Sequence, residues 1–131
     1  MKSKIETSKA PKALGPYSQA ILQKIPGAEM LYVSGQLPID PATGTLIQGT
    51  IEEQTQQVLK NIQAILEAAA MSFEHVVKVE IFLLDLRDFS KVNGTYSEVF
   101  GEPSPPARQT VQAARLPLDS PIEISCIAVK A

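Results

Sequence analysis

Cysteine and histidine are almost missing from this chain, with one of each, Cys126 and His75, in 131 residues. A lone cysteine excludes an intramolecular disulfide, and one cysteine with one histidine cannot assemble a cysteine/histidine zinc site. Such usage fits a reducing compartment. A long apolar run is missing too: nowhere do about 18 apolar residues follow one another, the length a membrane span needs. The opening "MKSKIETSKAPKALGPYSQ" carries basic residues but no apolar core of a signal peptide, so a cytoplasmic protein without a membrane partner is expected. Positive charge is also in short supply. Twelve Lys and Arg stand against fourteen Asp and Glu, a net charge of -2, without a Lys/Arg cluster. Nucleic-acid domains usually present a basic face, so the balance argues against a nucleic-acid partner. Internal repeats, low-complexity tracts and linkers are absent as well.

What remains is ordinary globular composition, 44% apolar and 20% charged, and 131 residues suit one domain spanning 1–131. "YSQAILQ" and "EMLYVSGQLPI" read as short strands joined at "KIPGA", where proline and glycine mark a turn. "DPATG" is a second turn, with Asp40 and Pro41 at its start and Gly44 at its end. Thr50 and Glu53 form a T-x-x-E capping box that starts a helix. Val58, Leu59, Ile62, Ile65, Leu66 and Ala69 then recur at helical spacing, opposite Glu52, Gln56, Lys60, Gln63 and Glu67.

"VVKVEIFLLDL" alternates as a strand does, placing Val77, Val79, Ile81 and Leu83 on one face. Asp88 is suited to cap a second helix carrying Phe89, Val92, Tyr96, Val99 and Phe100, which should end near Gly101 and Pro103. "ARQTVQAA" and "IEISCIAVK" give two more strands. The order predicts an α+β fold, a mixed sheet with both helices packed on one face. The other face would then hold Phe82, Leu84, Ile127 and Val129 among Lys78, Glu80, Glu123 and Ser125. Such a surface is too apolar to leave in water, so a homo-oligomer is expected, with Arg108 and Glu123 at or near its seam.

"GPYSQA", "LYVSGQLPIDPATG", "VNGTYSEVF", "PPARQTVQAARLP" and "IEISCIAV" together resemble the Rid family, the reactive intermediate deaminases typified by RidA and formerly called YjgF. The five motifs fall in the family's order across essentially the whole chain. The resemblance implies a chorismate-mutase-like fold, a homotrimer with sites in the clefts between subunits, and no metal or organic cofactor. It also implies an activity: hydrolysis of 2-imino acids and their enamine tautomers, such as 2-aminoacrylate, to 2-oxo acids and ammonia.

A 2-imino acid presents a carboxylate beside an electrophilic carbon, so its site needs an anion clamp and a placed water. Arg108 suits the first task, because a planar guanidinium holds a carboxylate through two parallel hydrogen bonds and stays protonated. It matches the family's substrate-binding arginine; a structural ion pair is the alternative. Glu123 matches the family's glutamate near the imine, which holds the attacking water and helps move its proton. Its alternative is pairing with Lys or Arg across the seam. Tyr17 is read as closing the pocket with its ring or donating its hydroxyl, a core or rim aromatic being the alternative. Ser34 and Gly35 are read as backbone that a ligand approaches, a glycine that simply permits a turn being the alternative. Asn93 belongs to the second helix, where facing the cleft and being simply solvated are the two readings. Thr110 follows Arg108 by two residues, on the same strand face, where its hydroxyl could add a bond to the substrate carboxylate.

The chain departs from the family at two of these positions: Thr110 stands where cysteine is common, and Ser125 where an acidic residue is common. Cys126 is read as core and His75 as structural. Two other functions use the same residues or the family's other associations. One is a non-catalytic binder or chaperone taking small 2-oxo acids in the same clefts. The other is RNA cleavage, against which one histidine and the net charge of -2 argue.

Overall fold

The structure, a computed structural model, describes residues 1–131. Its elements in chain order are β1 (Lys2–Ile5), β2 (Ala20–Ile25), β3 (Ala28–Gln36), β4 (Ile39–Asp40), β5 (Thr45–Leu46), α1 (Ile51–Ala68), β6 (Val76–Leu83), α2 (Phe89–Phe100), β7 (Ala107–Gln112) and β8 (Ile122–Lys130). Six strands form one sheet in the order β1-β2-β3-β8-β6-β7. Only β6 and β7 run parallel, the strand–helix–strand unit that α2 bridges; the remaining pairs are antiparallel. The expected mixed sheet with two helices is therefore present.

The chemistry of each junction is local. Glu53 N–H donates to Thr50 Oγ1 at 3.2 Å and Thr50 N–H to Glu53 Oε1 at 2.9 Å, the reciprocal cap that starts α1. In the β2–β3 turn Gly27 takes φ +82°, a region closed to most side chains, which is why proline–glycine sits there. At "DPATG" the Asp40 carbonyl accepts from Gly44 N–H at 2.8 Å, and the flanking residues pair as the small β4–β5 ribbon.

The six helix residues expected to face inward are all buried, as are Val79, Ile81 and Leu83 of β6 and Ile122, Ile124, Cys126 and Ala128 of β8. They join one core with Val92, Tyr96 and Phe100 of α2, so both helices cover the same side of the sheet. Burying a side chain of this size contributes roughly 1.5–3 kcal/mol, which is why the pattern decides the layering. No helix is long and apolar enough to cross a membrane.

Several expectations need correction. Val77 does not join the inward face of β6: it is 48% exposed while Val76 is buried. The pairing with β8 slips by one residue between Val76 and Lys78, and this bulge reverses the alternation at the strand's start. Asp88 makes no side-chain cap for α2, because a turn of 3₁₀-helix over Leu86–Asp88 feeds the helix directly. The cap lies three residues earlier, where Asp85 Oδ1 accepts from Arg87 N–H at 2.9 Å. Strand β1 was not expected at all. Its "KSKI" has no alternating apolar pattern, and it owes its place to pairing with the edge of β2.

Candidate active site

Arg108 and Glu123 lie on opposite faces of the sheet. Arg108 pairs in register with Val79 and Thr110 with Ile81, both buried under the helices, so this pair of β7 residues faces α2. Glu123 pairs with Phe82 between the inward-facing Ile122 and Ile124, so it points to the bare side. Within one subunit the two charged residues do not converge.

Around Arg108 the surroundings are aromatic and neutral. Its guanidinium carbon lies 4.9 Å from the ring centre of Tyr96 and 5.5 Å from that of Phe89. Nη1–H donates to Asn93 Oδ1 at 2.6 Å. Phe89, Asn93 and Tyr96 stand at i, i+4 and i+7 on α2, so one helix face supplies all three contacts. The ion pairs of the chain join other residues, and the structural-pair alternative for Arg108 does not hold within the subunit. One of five guanidinium N–H donors is therefore used by a neutral amide. Beside it a cavity of about 310 Å³ is lined by Asn93, Tyr96, Ser97, Phe100, Pro106 and Arg108. Thr110 Oγ1 and the Tyr96 hydroxyl are both buried without a hydrogen-bond partner. Burial pushes the Tyr96 phenol up to about 12, so it is a neutral donor at ordinary pH.

Around Glu123 the surroundings are backbone and loops. Between Val33 and Gln36 the β3–β8 pairing shifts register, with Ser34 and Gly35 in the bulge. A Cβ built on Gly35 would lie 2.6 Å from Glu123 Oε2, so the carboxylate packs directly on this glycine's backbone. The residue was expected to admit a ligand; what it admits here is the glutamate itself. Burial raises the Glu123 carboxyl above its ordinary range, and no side chain pairs with it in the subunit. Tyr17, half exposed, overhangs the same cavity of about 470 Å³, its hydroxyl accepting from Leu14 N–H at 3.2 Å. A larger cleft of about 710 Å³ runs under residues 4–19 and shares Tyr17, but neither Arg108 nor Glu123 lines it.

Ser34 is committed inside the chain. Its Oγ–H donates to Ser18 O at 2.5 Å and its N–H to Gln19 O at 3.0 Å, so it fastens the Tyr17 segment and has no donor left for a ligand. Gln19 does the same on a larger scale and was missed by the sequence reading. Its buried amide accepts from Thr7 N–H at 2.8 Å and donates to the carbonyls of Thr7, Ala10 and Pro11 at 3.0, 3.3 and 2.8 Å. The available signal was a polar residue where β2 begins, next to the buried Ala20. From the opposite side Asn61 of α1 donates to the carbonyls of Leu37 and Ile39, holding another wall of the Glu123 cavity.

The remaining expectations concern groups outside both clusters. Cys126 is buried among the core residues, and burial pushes its thiol up to about 12, out of reach as a nucleophile. His75 Nδ1 accepts from Ser72 N–H at 2.9 Å, a structural cap. No group of three or more His, Cys, Asp or Glu is placed to hold a metal ion.

A two-helix layer on a mixed sheet, with an arginine and a glutamate displayed on its two faces, defines a small α+β protein whose polar clusters lie at the sheet's margins. The family profile described as Endoribonuclease L-PSP matches residues 7–130. A RutC family protein of Pyrococcus horikoshii is 52% identical over 130 residues, 99% of each chain. The 2-iminobutanoate/2-iminopropanoate deaminase of Bos taurus is 47% identical over 126 residues, 96% of this chain and 88% of that one. The crystal structure of a Thermotoga maritima protein aligns with a TM-score of 0.94 at 53% identity, covering 100% of this chain and 99% of the other. The chain belongs to the YjgF/RidA family.

Proposed function

We propose that this protein is a cofactor-independent deaminase that hydrolyses small 2-imino acids, and their enamine tautomers, to 2-oxo acids and ammonia. The observation that carries the reading is Arg108: a guanidinium braced by two aromatic rings and one neutral amide, beside a cavity, with no carboxylate of its own. A cation so placed has its charge available for a ligand acid. The cytoplasm is the expected compartment.

The site is built from two copies of the chain. Arg108 with Asn93 comes from one subunit, and Glu123 with Tyr17 and the Gly35 bulge from its neighbour. Two features of the fold support this. The two residues face opposite sides of one sheet, and the bare side carries part-exposed Tyr32, Phe82, Val111 and Ile127 that a closed oligomer would cover. A homotrimer accommodates the arrangement, each subunit giving one half to each of two clefts.

In the joined cleft the Arg108 fork holds the substrate carboxylate. Thr110 Oγ1, whose hydrogen bond is unused, regains a partner if a ligand oxygen reaches it. Glu123, made a stronger base by the burial that raises its carboxyl above the ordinary range, holds a water against the imine carbon as its carboxylate. The water oxygen bonds to that carbon as the C=N π pair moves to nitrogen, and Glu123 takes the water's proton. Returned to nitrogen, that proton completes the amino alcohol. Glu123 then takes the hydroxyl proton and passes it to nitrogen as the C–N bond breaks and the C=O bond forms, so ammonia leaves and a 2-oxo acid remains. The barrier is low for hydrolysis in water, and holding the water and imine together is a sufficient contribution.

The name of the matching profile raises RNA cleavage as a second activity. The observations weigh against it, because the only histidine is spent as a backbone cap and the chain is net acidic. A non-catalytic binder would use the same cleft. Coupling the protein to a threonine dehydratase and timing 2-oxobutanoate release separates these readings. Wild type should accelerate release and Arg108→Ala should not; no acceleration by wild type overturns the deaminase.

A further inference from the structure

Two leucines stand out in water at the mouth of the Glu123 cavity. Leu14 is 64% exposed and Leu118 is 55% exposed, and both line that cavity of about 470 Å³. They approach it from distant parts of the chain, the 7–18 loop before β2 and the turn before β8. With Leu37, Ile39 and Pro117 they give the lining an apolar side, while Lys12 and Glu123 are its only charged residues.

Leu118 is held there against its own preference. It takes φ +56° and ψ 22°, a left-handed conformation that disfavours branched side chains, and Asp119 beside it also has φ +56°. The turn is clamped on both sides. Arg115 Nε–H and Nη2–H donate to the Asp119 carboxylate at 2.7 and 3.3 Å, and fully buried Ser120 donates to Ile122 O at 2.7 Å. Leu116, also buried, anchors the near end. A strained turn fixed this firmly presents its leucine in one place, which loose surface leucines do not do.

We propose that Leu118 and Leu14 form the specificity wall of the site, packing on the substrate's side chain and favouring aliphatic 2-imino acids over the smallest ones. The inference rests on the deaminase reading and adds the substrate class. With the carboxylate on Arg108 and the imine carbon at Glu123, the third substituent of that carbon is the side chain. The cavity mouth beyond Glu123 is where the apolar surface lies. Burying a butyl-sized group there recovers apolar area that otherwise stays wet.

The test compares imines generated in situ by an amino-acid oxidase from alanine and from leucine, with wild type, Leu118→Ala, Leu14→Ala and Leu118→Met. The readout is the ratio of kcat/KM for the leucine imine to that for the alanine imine. Each alanine variant should lower this ratio by about tenfold, the size of a lost methylene-scale contact, mainly through KM for the leucine imine. Leu118→Met should keep it. Leu14→Ala lies outside the strained turn, so it reads the wall even where Leu118→Ala disturbs folding. An unchanged ratio, an equal loss on both imines, or a change that tracks a shift in oligomer mass overturns the wall. Activity of wild type on neither imine overturns the deaminase reading and the wall with it; activity on both with a ratio indifferent to the leucines overturns the wall alone.

Discussion

The two faces of the sheet solve the problem of a half-buried charge in opposite ways. On the helix side, Arg108 is packed by side chains: two rings and an amide, all supplied by one face of α2. On the bare side, Glu123 is packed by backbone, with Gly35 pressed against its carboxylate and two loops arching over it. A helix face is a rigid frame that tolerates an aromatic substitute. A bulge and a loop depend on hydrogen bonds that only particular residues make. The cation half of the proposed site should therefore be robust and the carboxylate half fragile.

The largest effect expected from testing this contrast is on the separation itself. Arg108→Ala and Glu123→Gln should each lose hydrolysis by about a hundredfold or more, the usual contribution of a positioned acid–base or binding group. Mixed and reassembled one to one, the two inactive variants should regain about a quarter of wild-type activity, because a cyclic oligomer then contains clefts with both halves intact. No recovery would mean that each site is built within a single subunit.

Gly35→Ala comes next. Its Cβ would meet Glu123 Oε2 at 2.6 Å, and the displaced carboxylate should cost about a hundredfold in kcat. In Glu123→Gln the same substitution should cost little more activity. Full activity in Gly35→Ala would show that the close packing has no bearing on the chemistry.

Gln19→Leu should lower unfolding free energy by about 2 kcal/mol, since it strands the buried carbonyl of Ala10 and part-buried groups of Thr7 and Pro11, and should expose the 7–18 segment to proteolysis. Asn93→Ala on the other face should be milder, because Arg108 keeps both rings. Equal losses would erase the contrast.

The smallest effect is a pH dependence. Burial raises the folded-state pKa of Glu123, so its contribution to stability is present in acid and lost as pH rises through that folded value. Denaturation of Glu123→Gln should show it more stable than wild type at neutral pH, with the gap closing below the carboxyl's range. A gap that widens in acid would mean the carboxylate is stabilised in its charged form.

Much of this was legible in the residues. The capping box, the inward stripe of α1 and the turn at "DPATG" follow from short-range rules, and the structure keeps each. Two helices on one side of a mixed sheet followed from counting elements. The register slips did not. Whether Val76 or Val77 turns inward depends on pairing with Ala128 and Ile127 of β8, distant in the chain, and two adjacent valines carry no signal of it. Strand β1 likewise exists because β2 offers an edge. For the site, the arginine and glutamate stood out by type, yet alternation within one strand gave no common reference for faces on β7 and β8. Their opposition appeared only with the register. Gln19 was hidden for the same reason: its partners lie across a loop whose path the residues do not announce.

The bulge at Ser34 and Gly35 constrains the length of β3 as well as its composition. Three steps along β3, from Val33 to Gln36, span two along β8, from Cys126 to Ile124, and both ends of the step are buried. Removing one residue there would turn either the Leu31–Val33 stretch or the Gln36–Ile39 stretch inside out. Relatives that drift in sequence at this corner should keep its residue count, so a gap in an alignment at this point would mark a protein that has given up the pocket.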